Sequence, residues 1–155
     1  MDYSIVEIIQ AMLAPGLMIS ACGLFLLGMN SKYSLLVNRI RLLNEEKRKL
    51  DVGEQKAKAK LRHESIILQI KKLNFRLKLV RNAVFSYSAG VTHFIIASLL
   101  IGFKYLTQSG NAASVALVFF LLGIISVLIG IAFAAMEVYK GFKIVGIEIS
   151  ESNSQ

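Results

Sequence analysis

The chain of 155 residues is 55% hydrophobic and 18% charged, with a mean hydropathy of +0.59. A soluble domain carries about 25% charged residues, so the composition excludes water as the main solvent of this polypeptide. A single cysteine excludes a disulfide framework and any multi-cysteine metal site. The length allows one domain and leaves no room for a separate large catalytic module.

The first apolar run covers 8–29, in which only Gln10 and Ser20 are clearly polar. At a rise of about 1.5 Å per residue it is longer than the ~30 Å hydrocarbon layer. Asp2 and Glu7 precede it, no basic residue does, and the cations follow it. That is the reverse of a cleaved signal peptide, so the run reads as a permanent span. Ala14-Pro15-Gly16 holds the only proline. Proline removes a backbone donor and crowds the preceding turn, which predicts a kink or break at Pro15, with residues 2–13 as a short interfacial helix.

The basic insert at 31–82 is patterned as a cytoplasmic antiparallel coiled-coil hairpin. On its first arm Leu36, Ile40, Leu43 and Leu50 recur at steps of four, three and seven; on the second, Ile66, Ile70, Leu73, Leu77 and Val80 step four, three, four, three. Such a seam buries one apolar stripe against another. The reversal falls at Asp51-Val52-Gly53-Glu54, where Gly53 can adopt a positive φ. No Pro or Gly separates Met29 from Leu50, so the first span is expected to run straight into the first arm. A two-helix seam this narrow is marginal alone and favours self-association.

The second apolar run, 83–103, opens with Ser86, Tyr87, Ser88, Thr92 and His93. Ser86 and His93 share a face at a spacing of seven. An ionisable group at this depth faces protein or water. It either lines a proton or ion path or, as the preferred reading, donates as a neutral imidazole to a neighbouring helix. None of the three apolar runs contains Asp or Glu in its interior, which weakens a relay. The third run, 112–136, is almost wholly aliphatic and ends at Glu137. That carboxylate is expected to pair at the membrane surface with a cation such as Lys32 or Arg81. Residues 137–155 form a cytoplasmic tail.

Small residues recur at seven-residue spacing: Ala14, Ala21 and Gly28 in the first span, and Gly123 and Gly130 in the third. Ser126, Gly130 and Ala134 add a row at intervals of four. Small side chains let helices approach closely in lipid, and these rows serve either the three-helix bundle or contact between subunits.

Charge placement sets the orientation. Residues 31–83 hold 15 Lys/Arg and the tail adds Lys140 and Lys143, against Lys104 alone on the other side. Basic flanks remain in the cytoplasm, which places the N-terminus outside and the C-terminus inside. Anionic lipid headgroups account for this charge. Glu45, Glu46, Glu54 and Glu64 interleave with the cations and aromatics are few, so no nucleic-acid partner is expected. There is no phosphate loop, metal-binding His pair or nucleophile elbow, and the chain reads as non-enzymatic, without catalytic, cofactor or metal residues.

Ala14-Pro15-Gly16-Leu17-Met18-Ile19-Ser20, the run from Gly23 to Leu27, the polar exit at Asn30 and Arg39-Ile40-Arg41 resemble the signature of a bacterial family of three-span membrane proteins, a domain of unknown function. Asn38 stands where members often carry an aspartate. The resemblance implies an integral inner-membrane protein and supplies no catalytic residues. The expected role is a self-associating scaffold or accessory subunit of a membrane complex. The alternative is an oligomeric proton or cation channel, similar in layout to stator-type subunits.

Overall fold

The computed structural model describes residues 5–52, 56–107 and 110–152, with side chains described at Val6 and over 9–50, 62–104 and 112–141. Helix α1 spans Ile5–Val52, α2 spans Lys56–Thr107 and α3 spans Gly110–Ser152; no strand occurs among the described residues. Each helix contains a segment long and apolar enough to cross a membrane. In lipid every backbone donor and acceptor must be satisfied within the segment, and an uninterrupted helix does this for runs of this composition. The fold is that of an all-α, multi-pass membrane protein.

Two features differ from the sequence reading. Helix α1 passes through Pro15 without a break, so residues 5–13 belong to the helix that forms the first span. Pro15 is buried, and its ring packs in the core while the membrane helix tolerates the one lost donor. Helix α3 does not end at the third span but continues to Ser152, since nothing between Glu137 and Ser152 is a proline. The reversal residue Gly53 lies outside the described residues, between the end of α1 at Val52 and the start of α2 at Lys56.

The chain divides into two compact units, residues 1–28 with 83–132, and residues 29–82 with 133–155. The first unit holds most of the three apolar runs. Its surface carries large aliphatic side chains, including Leu17, Leu24, Leu99, Leu117 and Ile125, with Leu24 73% exposed. Its interior holds Cys22 from α1, Ala83, Tyr87, Gly90, Phe94 and Ala97 from α2, and Ala116, Gly123, Val127 and Gly130 from α3. A water-soluble bundle would bury the leucines. Here the outside is as greasy as lipid and the inside is chosen for close fit, as expected where no hydrophobic force drives helices together.

That fit is antiparallel between α2 and α3. A Cβ on Gly123 would meet the Phe94 ring at 2.6 Å, and one on Gly130 would meet the Tyr87 ring at 2.7 Å. Advancing seven residues on one helix retreats seven on the other. Between them a Cβ on Gly90 would lie 2.9 Å from Val127 Cγ2 and 3.4 Å from the Gly123 carbonyl oxygen. The Phe94 and Phe120 rings meet at 5.5 Å, and α1 joins through Phe25, stacked on Tyr87 at 5.3 Å.

In the second unit one apolar stripe of α1 and one of α2 turn inward, while residues such as Leu35, Leu42 and Leu68 stay exposed. Met29, Leu36 and Leu43 of α1 are buried, as are Ile66, Leu79 and Val80 of α2. Arg62 and Glu46 form an exposed ion pair at 2.7 Å. A third helix completes this unit: α3 contributes residues from Phe133 onward, and Lys140 Nζ sits 3.8 Å above the Phe75 ring of α2.

Candidate functional site

Two cations of the second unit converge on Glu137. Its place follows from spacing on α3: Ala116, Gly123 and Gly130 are buried, and Glu137 is the next residue in the same seven-residue row. The row carries the carboxylate inward just after the apolar run ends, and Glu137 is 2% exposed. An ion so placed costs several kcal/mol unless it is paired. Two cations meet that need. Lys32 Nζ of α1 donates to Oε2 at 2.9 Å, and Arg76 of α2 donates to Oε1 through Nε at 3.1 Å and Nη2 at 2.6 Å. All three helices of the unit therefore contribute one member each.

The cluster is not symmetric in charge or in access. Two cations face one carboxylate, leaving one net positive charge. The Lys32 side chain is 43% exposed and that of Arg76 26%, so the cations stand toward the opening and the carboxylate forms the floor. Gly141, one turn beyond Glu137, leaves room for the guanidinium, because a Cβ there would meet Arg76 Nη2 at 3.1 Å. A cavity of about 350 Å³ opens beside the cluster, lined by Lys32, Leu35, Leu36, Arg76, Glu137, Val138 and Gly141. No buried side-chain nitrogen or oxygen among the described residues lacks a hydrogen-bond partner.

Of the two alternatives expected as the partner of Glu137, Lys32 pairs with it and Arg81 is solvent-exposed; a second cation, Arg76, joins the pair. The sequence alone does not single out Arg76, because 15 basic residues crowd 31–83. Its signal was positional: Arg76 lies seven residues before Ala83, in the row that continues through the buried Gly90 and Ala97. A cation in such a row needs an anion on a facing helix.

The polar run of α2 lies in the other unit and does not assemble into a cluster. Thr92 donates its hydroxyl to the Ser88 carbonyl at 3.0 Å, and His93 Nδ1 lies 2.6 Å from the Ala89 carbonyl oxygen. Both bonds stay within one turn of their own helix. The His93 ring also meets Phe119 of α3 at 6.0 Å. Ser86 is half-buried and Ser88 exposed.

The small-residue rows separate by helix. On α3, Gly123 and Gly130 are consumed inside the unit by Phe94 and Tyr87; Ser126 returns its hydroxyl to the Leu122 carbonyl at 2.9 Å, and Ala134 is half-buried. On α1, Ala14, Ala21 and Gly28 are exposed, and the buried positions are Pro15, Cys22 and Met29, one residue further along. The row Ala83, Gly90, Ala97 on α2 is buried as well, a face that its neighbouring small residues do not mark in the sequence.

Among the described residues no group of three or more His, Cys, Asp or Glu could hold a metal ion. The Glu137 cluster joins two cations to one carboxylate beside a partly apolar cavity. No curated protein and no solved structure matches the chain significantly. A family model described as a protein of unknown function, DUF2721, matches residues 12–147. That range takes in Lys32, Arg76, Glu137 and Gly141, and the chain belongs to this family.

Proposed function

We propose that this protein is a non-enzymatic membrane scaffold or accessory subunit that self-associates through α1. The observation that carries the reading is the exposed small-residue face of that helix. Ala14, Ala21 and Gly28 lie at seven-residue spacing and are exposed, and a Cβ on Gly28 would meet nothing within 4 Å. The corresponding glycines of α3 are already filled by rings of the same chain. In lipid, a close-packing face that its own chain leaves open gains most by meeting a second helix. The strongly basic segment 31–83 stands on the cytoplasmic side of a bacterial inner membrane under this reading, with the N-terminus outside.

The polar run of α2 supports packing more than conduction, because the Thr92 hydroxyl and His93 Nδ1 each meet a carbonyl of their own helix. The test is mass measurement of the intact protein in gentle detergent. A multimer, or a defined complex with a partner subunit, is expected, and the variant Ala21→Leu with Gly28→Leu should dissociate self-assembled copies. A lone wild-type monomer with no co-purifying partner would contradict the proposal.

A further inference from the structure

We infer that the cavity beside Glu137 is a binding site for a phosphate ester anion with an apolar substituent, a chemistry that an anionic phospholipid headgroup supplies. Four observations support this. The cluster carries two cations against one carboxylate, and the cations are the exposed members. Lys32 Nζ has three donors and places one on Glu137, and Arg76 engages Glu137 through Nε and Nη2, so Nη1 is outside that interaction. The carboxylate on the floor holds the two cations in place and offsets their mutual repulsion, so a ligand meets donors already oriented. The remaining wall is Leu35, Leu36 and Val138, which suits the glycerol and first methylenes of a lipid rather than a bare ion.

Size and position agree with this. A volume of about 350 Å³ corresponds to roughly ten waters at about 30 Å³ each, enough for a phosphate group with part of its glycerol. Lys32 follows the first apolar run by three residues, Arg76 precedes the second by seven, and Glu137 directly follows the third. A basic recess where apolar segments end is where anionic headgroups lie. Gly141 belongs to the site because a side chain there would press on the Arg76 guanidinium at the cavity wall.

The experiment uses the full-length protein in nanodiscs containing phosphatidylglycerol, phosphatidylcholine, or both, and counts by native mass spectrometry the lipids retained per chain after partial delipidation. One tightly held phosphatidylglycerol per chain is expected, with phosphatidylcholine not retained. Lys32→Gln should weaken retention about tenfold, as for one lost charge-assisted bond. Leu35→Glu leaves Lys32, Arg76 and Glu137 intact and sets an anion beside the opening, so it should also weaken retention about tenfold even if Lys32→Gln perturbs the fold. Lys78→Gln, an exposed cation of the same unit outside the cavity, should have no effect. Inorganic phosphate at millimolar concentration distinguishes the source. Displacement of the lipid by phosphate alone supports the same site with a soluble ester as ligand, and its failure to displace supports the lipid. Equal retention of the two lipids together with no effect of phosphate, or a loss of retention in Lys78→Gln equal to that in Leu35→Glu, would overturn the assignment.

Discussion

Tyr87 is held between two helices: its ring stacks on Phe25 of α1 at 5.3 Å with an interplanar angle of 13°, and it also lies against Gly130 of α3, where a Cβ would come within 2.7 Å of the ring. The first unit is thus joined by a fully buried aromatic side chain seated against a residue that has none. Because the surrounding lipid is as apolar as leucine, shape alone distinguishes this arrangement from other pairings.

Close fit makes the three core glycines intolerant of added atoms. Gly90→Ala, Gly123→Ala and Gly130→Ala should each lower the stability of the protein in detergent by about 1–3 kcal/mol, the usual cost of overpacking. Gly23→Ala, where a Cβ meets nothing within 4 Å, should not lower it, since alanine is the better helix former. Thermal or denaturant unfolding of the four variants checks the contrast.

The second unit depends on charge in the same way. Glu137→Ala leaves Lys32 and Arg76 facing each other without their anion, and should cost about 3 kcal/mol, the low end for breaking a buried pair because both cations reach solvent. Arg62→Ala removes an exposed pair with Glu46 and should cost less than about 1 kcal/mol. Comparable losses from both variants would show that burial of Glu137 does not set the energetics.

The bond of His93 to its own helix predicts a silent substitution. His93→Leu should fold and assemble as the parent does, and liposomes containing either protein should pass protons no faster than empty ones. A flux that is present in the parent and lost in His93→Leu would restore the channel reading.

The sequence was most readable where a polar background makes apolar residues informative. Leu36 and Leu43 stand among lysines and arginines, and both are buried where their spacing puts them. Within the apolar runs nearly every residue is hydrophobic, so the periodicity disappears and burial is decided by which side chains of facing helices fit together, as Tyr87 and Phe94 do against Gly130 and Gly123. Gly123 and Gly130 could be recognised as packing residues, but whether they meet their own chain or another depends on Phe94 and Tyr87, whose facing is not a property of local sequence. The row on α1 shows the limit. Ala14, Ala21 and Gly28 differ by one position, about 100° of helix, from the buried Pro15, Cys22 and Met29. Glu137 was legible as an anion at a boundary. Its second partner, Arg76, was not, because the sequence marked residues after 136 as a tail rather than as the third helix of the basic unit.

The most direct test is thiol accessibility in vesicles, in a Cys22→Ser background. Leu24→Cys, Leu99→Cys and Leu121→Cys place thiols at positions that the protein itself leaves exposed, and Asn44→Cys places one on the exposed face of the basic unit. If three helices cross a bilayer, the first three sites are covered by lipid and stay unreactive toward a membrane-impermeant maleimide, while Asn44→Cys reacts when the reagent is on the side of the basic unit. Rapid labelling at Leu24→Cys, Leu99→Cys and Leu121→Cys in sealed vesicles would mean that water solvates those faces, and would contradict the account.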